Sequence, residues 1–98
     1  MVRGSTPTFT FKLPMSVSSL KSLDVIFIQN GKTVLSFGLE RMIFEDNCVS
    51  FTLEEAETFL FCAGSNAEIQ LKAVTENGDI LISDTRKTHV RKKYPEDI

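Results

Sequence analysis

Leu23-Asp24-Val25-Ile26-Phe27-Ile28-Gln29-Asn30-Gly31-Lys32-Thr33-Val34-Leu35-Ser36-Phe37 is the stretch whose pattern decides the fold class. Its first half is rich in β-branched and aromatic residues and becomes apolar on both faces, as a central strand requires. Asn30-Gly31 then supplies two residues that tolerate φ > 0, which a type I′ turn needs, and strand character resumes at Lys32. The pattern predicts a hairpin over 23–37 with a tightly fixed register. Further along, Glu68 to Thr75 alternates, Glu76-Asn77-Gly78-Asp79 turns, and Ile80-Leu81-Ile82-Ser83 returns, which predicts a second Asn-Gly hairpin of the same kind.

The flanking segments extend the β pattern. Thr8 to Leu13 alternates with Phe9, Phe11 and Leu13 on one face, and Pro14 ends the run. The serine-rich stretch 15–22 reads as a loop or a single helical turn that crosses between sheets. After Phe37, Gly38 interrupts, residues 39–44 read as a bent or separate short strand, and Glu45-Asp46-Asn47 is a turn. Cys48 to Leu53 then alternates with Val49, Phe51 and Leu53 inward. Thr52-Leu53-Glu54-Glu55 has the form of a capping box, so a short helix is expected over about 53–62. Its apolar stripe is Leu53, Ala56, Phe59, Leu60 and Ala63, and Gly64 suits the left-handed residue that closes a helix. Phe61 falls off that stripe and either packs against the neighbouring turn or marks a contact surface.

Six to seven strands, one short helix and 98 residues with 42% hydrophobic composition are expected to make a single domain over 1–98, an all-β, immunoglobulin-like antiparallel sandwich. With no Trp, the Cys…Trp…Cys arrangement of true immunoglobulin domains is missing, so only the architecture is expected. Residues 1–5 are expected to be a short flexible lead-in. From Asp84 onward apolar residues almost vanish, so the basic end 86–98 is expected to fray and to be dispensable to the fold. Met1 is not followed by an apolar signal region, and no window reaches the ~18 apolar residues of a membrane span, so a soluble product without an export signal is expected.

The residue inventory offers little catalytic chemistry. The single His89 lies far from Cys48 and Cys62 in sequence, no G-x-S-x-G elbow is present, and no CxxC pair or zinc ligand set exists. The two cysteines are expected to be reduced packing groups, with a disulfide between them left open. Glu54, Glu55 and Glu57 have a sufficient structural cause in helix capping and the helix dipole. The glycines are scattered singly, so no phosphate-cradling loop forms. No catalytic, cofactor or metal residue is therefore expected, and the chain is read as a non-enzyme.

Charge is distributed unevenly. Residues 86–98 carry five bases, Arg86, Lys87, Arg91, Lys92 and Lys93, against two acids, whereas residues 1–85 carry six bases against eleven acids. A solubilising, edge-protecting strand explains the basic end. The functional alternative is an electrostatic contact with an acidic partner, including the acidic body of a neighbouring copy, and these five residues are the candidate partner-binding set. Nucleic acid is disfavoured, because only Tyr94 is interleaved with these bases as a stacking group.

Arg3-Gly4-Ser5-Thr6-Pro7-Thr8-Phe9-Thr10-Phe11-Lys12-Leu13-Pro14 resembles the R-G-[ST]-T-P-T-x-x-F-x-L-P opening of small proteins encoded by phages and prophages of Gram-positive bacteria. Gln29-Asn30-Gly31-Lys32, Leu53-Glu54-Glu55-Ala56-Glu57, Glu68-Ile69-Gln70-Leu71 and Leu81-Ile82-Ser83-Asp84 follow in the same order as in those proteins. The resemblance implies a virion component or assembly factor of tail, baseplate or head, present in the host cytoplasm before assembly. Its partners would be other virion proteins or further copies of itself. A small carbohydrate- or ligand-binding sandwich is the alternative, and it is weakened by the lack of Trp and the single Tyr.

Overall fold

The computed structural model describes residues 1–93, and Tyr94 to Ile98, the end of the expected basic segment, lie outside the described residues. The chain forms two antiparallel sheets. The smaller contains β1 (Thr8–Lys12), β5 (Cys48–Thr52) and β4 (Ile43–Glu45), in the order β1-β5-β4. The larger contains β2 (Leu20–Gln29), β3 (Lys32–Gly38), β6 (Asn66–Thr75), β7 (Ile80–Ile82) and β8 (Arg86–His89). Its order is β3-β2-β6, with β7 and β8 both pairing β6. The only α-helical piece among the described residues, α1, is one turn, Glu55–Thr58.

The sheets meet through the side chains that the alternation points inward. In the small sheet Phe9 is opposite Phe51 and Phe11 opposite Val49, while the outward pairs Thr8–Thr52 and Thr10–Ser50 join hydroxyl to hydroxyl at 2.7 and 3.0 Å. Val25, Phe27, Ile69 and Leu71 face them from the central β2–β6 pair and are buried. Phe27 is the hub of the core: its ring lies 5.6 Å from Phe9, 5.9 Å from Phe51 and 5.8 Å from Phe61, each edge to face. That geometry suits the ring quadrupoles, and burial of one such side chain contributes roughly 1.5–3 kcal/mol.

The first hairpin has the expected turn, with Asn30 at φ 54° and Gly31 at φ 75°, and Gln29 opposite Lys32. Its register then shifts: Ile28 is opposite Thr33 but Phe27 is opposite Leu35, leaving Val34 as an extra residue. The bulge has a cause. A two-residue turn continued without interruption would set Ser36 opposite Val25 on the core face. One inserted residue returns Leu35 and Phe37 to the side of Phe27 and Val25.

The second hairpin differs from the first. Gly78 is left-handed at φ 89°, but Asn77 is not. The Gly78 amide donates to the Thr75 carbonyl at 2.9 Å, and the Thr75 amide donates to the Asp79 carbonyl at 2.9 Å. This is a type I turn followed by a left-handed glycine bulge, not the type I′ turn expected.

The helix is shorter than expected and begins later. Thr52 remains in β5, its hydroxyl engaged with Thr8, and the Leu53 amide still donates to the Pro7 carbonyl at 3.0 Å. The cap therefore moves to Glu54, whose amide donates to the Glu57 carboxylate at 2.8 Å. Because the helix stops at Thr58, the stripe drawn to Ala63 fails: Leu60 is exposed and Phe61 is buried against Phe27. Of the two readings of Phe61, packing is the one realised.

The chain ends also depart from expectation. Residues 1–5 are tied to the basic end: the Arg3 amide donates to the Arg91 carbonyl at 3.0 Å, the Arg91 amide to the Met1 carbonyl at 2.8 Å, and Val2 and Arg91 form a parallel bridge. The Gly4 amide donates to Thr58 Oγ1 at 2.9 Å. Residues 86–89 form β8, in register from Ile69–Arg86 to Asn66–His89, and Val90 is fully buried. One buried Val anchors a segment whose composition alone reads as solvated.

Candidate functional site

The five bases singled out in the sequence do not act as one group. Arg86 bridges the sheets: its guanidinium lies 3.9 Å from the Phe11 ring centre, and Nη1 donates to the Thr10 carbonyl at 3.0 Å. This is a cation–π and hydrogen-bond clamp from β8 to β1. Lys87 is exposed on β8 opposite Glu68, Arg91 contributes its backbone to the pairing with Met1 and Arg3, and Lys92 follows it, exposed. Lys93 Nζ lies 5.9 Å from the Phe59 ring centre. Part of the basic end thus holds the fold together.

The other candidate groups have structural duties as well. Glu57 pairs with Arg41, whose Nη2 donates at 2.7 Å, while the Arg41 guanidinium lies 4.2 Å from the Phe37 ring centre and Nη2 also reaches the Thr52 carbonyl at 3.2 Å. The hydrogen bond from Arg41 holds the Glu57 carboxyl below the usual carboxylate range, and the same bond raises Arg41. Cys48 and Cys62 are free thiols, one half-buried and one exposed. His89 Nδ1 and Asn66 Oδ1 are 3.0 Å apart. Among the described residues no three His, Cys, Asp or Glu side chains gather as a metal site would require. Nor is any helix of the described residues long and apolar enough to cross a membrane.

Gln29 is a side chain whose role the sequence pattern missed. It is buried at the end of β2, where Nε2 donates to the Cys62 carbonyl at 2.8 Å and Ser65 Oγ at 2.9 Å, and Oε1 accepts from the Cys62 amide at 2.7 Å. These bonds fasten residues 62–65 to the central sheet and satisfy a polar group that would otherwise be costly to bury. An inward-facing Gln at a strand end was the available signal.

What remains open on the surface is apolar and lies on two sheet edges. β4 ends the small sheet, with Ile43 78% and Phe44 53% exposed. β7 lies at an edge of the large sheet, with Ile80 61%, Leu81 38% and Ile82 62% exposed. Among the described residues these are five of the six large apolar side chains that stand exposed, the sixth being Leu60. A groove of about 390 Å³ runs beside β7, walled by Leu13, Pro14 and Met15 on one side and by Leu71, Leu81 and Ile82 on the other. Charge sorts unequally between the two edges. β4 is flanked by exposed Glu40, Glu45 and Asp46, with the nearby Arg41 committed to Glu57. Along the β7–β8 edge the exposed bases Lys72, Arg86 and Lys87 are balanced by the exposed acids Glu76, Asp79 and Asp84, and Arg86 is engaged with Phe11 and Thr10.

Exposed apolar side chains on an open strand are an aggregation hazard that folded proteins generally suppress, and here they are concentrated on two short edges. The edge is interrupted after β7. Leu71 donates its amide to Ser83 Oγ at 2.9 Å, and Ser83 donates its own amide to the Leu71 carbonyl at 2.9 Å. The side chain thereby fills a gap in the ladder and separates the apolar β7 from the basic β8. Comparison of the chain with family models, with curated proteins and with solved structures finds no match.

Proposed function

We propose that this protein is a non-enzymatic structural or assembly component of a phage or prophage particle, in the tail, the baseplate or the head accessories, and that it acts through protein–protein contacts. The observation that carries the reading is the pair of open edge strands, β4 and β7, on which five large apolar side chains stand exposed. An open edge offers unpaired backbone donors and acceptors to an incoming strand, and the apolar side chains add burial when it arrives. The likeness of residues 3–14 to phage and prophage proteins supplies the setting. In this reading the protein is made in the bacterial cytoplasm and becomes part of the virion or assists its assembly. Its partners are other virion proteins or further copies of the chain.

The immunoglobulin-like label belongs to this reading at the level of architecture, two antiparallel sheets over one core. The strand orders β1-β5-β4 and β3-β2-β6-β7, with β8 also on β6, differ from the immunoglobulin ABED and CFG sheets in placing the first and second strands in different sheets. The alternative of carbohydrate binding lacks comparable support: the groove beside β7 is lined by aliphatic side chains, Pro14, Met15 and Ser83, with no aromatic ring on which a sugar could stack. Quantitative mass spectrometry of particles purified after prophage induction from the bacterium that encodes the chain tests the proposal. The protein is expected at a fixed ratio to the main structural proteins or in assembly intermediates, and its absence from both overturns the reading.

A further inference from the structure

The two Asn-Gly dipeptides are alike as sequence and as surface, and they differ in what the glycine amide does. Asn30, Gly31, Asn77 and Gly78 are all exposed, and neither glycine has a neighbour that an added Cβ would touch. The Gly78 amide donates to the Thr75 carbonyl at 2.9 Å, the bond that closes its turn. In the first hairpin the closing pair is Gln29 with Lys32, and the Gly31 amide donates to no group among the described residues. Charge differs as well. Gly31 precedes the exposed Lys32, and the pocket beside this turn, lined by Lys32, Leu60 and Cys62, holds no acidic side chain. Gly78 lies between the exposed acids Glu76 and Asp79.

We infer that Asn30 is a modification site of this protein, where the side chain closes on the Gly31 amide and converts to aspartate or isoaspartate, and that Asn77 is spared by its turn. The inference is independent of the virion reading. Asparagine is thermolabile, and glycine as the next residue lacks the side chain that would block the ring closure. The Gly31 nitrogen gives up its proton to water and attacks Cγ of Asn30. A C–N bond forms, the Cγ–Nδ2 bond breaks, and Nδ2 takes a proton from water and leaves as ammonia. The cyclic imide then takes up a water molecule. Opening at one carbonyl gives aspartate and at the other isoaspartate, so water is consumed and ammonia released with no change of oxidation state.

In both turns the asparagine must rotate to bring Cγ to the nitrogen, so the state of that nitrogen separates them. At Gly31 it is reached without breaking a hydrogen bond within the protein. At Gly78 the bond to Thr75 must break first, which slows the step by a factor of about three to ten, the net worth of one hydrogen bond. Lys32 favours the deprotonated nitrogen, whereas Glu76 and Asp79 oppose it. Asn47 and Asn66 precede cysteine and alanine, and their side chains are held at 3.0 Å by the Leu13 carbonyl and by His89 Nδ1. Aspartate at position 30 keeps the chain length and tolerates φ > 0. Isoaspartate adds a methylene to the main chain of the turn that sets the β2–β3 register.

Peptide mapping by mass spectrometry tests the inference on the full chain kept at neutral pH, folded in buffer and unfolded in guanidinium chloride. Trypsin places the two dipeptides in separate peptides, 22–32 and 73–86, and digestion in mild acid suppresses further conversion. In the folded chain Asn30 is expected to convert at least about threefold faster than Asn77, and the ratio is expected to fall in the unfolded chain, where neither turn exists. Equal conversion in the folded chain, a faster Asn77, or a ratio as large unfolded as folded each overturns the inference. So does an Asn30 that stays intact in the folded chain while the unfolded sample converts. Amide hydrogen exchange by NMR reads the cause directly: Gly31 is expected to exchange faster than Gly78, and a better protected Gly31 overturns the assignment.

Discussion

Two Asn-Gly dipeptides close two hairpins in this chain, and the strands they join meet opposite fates. At Asn30-Gly31 both residues are left-handed and the turn is as short as a hairpin allows. The strands it joins carry the centre of the core, β2 with Val25 and Phe27 and β3 with Phe37. At Asn77-Gly78 only the glycine is left-handed, and the strand that follows, Ile80–Ile82, is as apolar as any in the chain but stands exposed. The difference teaches that a turn dipeptide announces a reversal without stating its type or what will cover the returning strand. Covering depends on the opposite sheet. Phe51 and Phe9 of the small sheet lie over Phe27, while beside β7 the opposite side offers only Leu13, Pro14 and Met15 around an open groove.

The comparison can be broken most severely away from either turn. Deleting residues 86–98 removes β8 and the fully buried Val90, and should leave a chain without a cooperative thermal transition by calorimetry. A melting temperature within a few degrees of the intact protein would return the basic end to the dispensable role its composition suggests. Next, Phe27→Ala should cost about 3–5 kcal/mol in urea unfolding, since it empties the hub of the aromatic core. Ile82→Ala, at an equally apolar but exposed position, should stay within about 0.5 kcal/mol. Equal losses would mean that the β7 edge is covered in solution.

Smaller changes separate the turns themselves. Asn30→Ala places a residue poorly suited to φ 54° in the first turn and should cost about 1–2 kcal/mol. Asn77→Ala, outside the left-handed region, should cost less than about 0.5 kcal/mol by the same measurement. Matching losses would show that the two turns are of one type after all. The smallest effect is electrostatic. Arg41 lowers the Glu57 carboxyl, so the stabilisation from this pair is fully present above the ordinary glutamate range and is lost as pH falls through the lowered value. The urea midpoint of Glu57→Gln should therefore lie below that of the unaltered chain at neutral pH and converge with it in strong acid. A gap that persists in acid would assign the effect to packing.

Much of the fold was legible because alternation has a physical period. Phe9, Phe11, Val49, Phe51, Ile69 and Leu71 all face inward as their spacing requires, since a strand in a two-layer protein has one wet face and one dry one. Three features were not legible. The bulge at Val34 settles a conflict between the register of a two-residue turn and the phase of Leu35 and Phe37, and neither pattern alone reveals it. The one-turn helix follows from Thr52 being held in the ladder opposite Thr8, a pairing between residues far apart in the chain. The burial of Phe61 depends in turn on where that helix stops.

The candidate surfaces divide in the same way. Residue types alone pointed to Arg86, Lys87, Arg91, Lys92 and Lys93, because charge is visible without coordinates. The apolar edges were hidden, because Ile43, Phe44 and Ile80 to Ile82 have the same composition as buried strands. Local sequence by itself determined the β class, the positions of the reversals and the inward face of most strands, all properties that arise between neighbours in the chain. Tertiary structure alone decided the type of the second turn, the length of the helix, the anchoring of the basic end by Val90 and which apolar strands stay open. Each of these depends on a partner distant in sequence, and the free energy of burial or pairing exists only once that partner is in place.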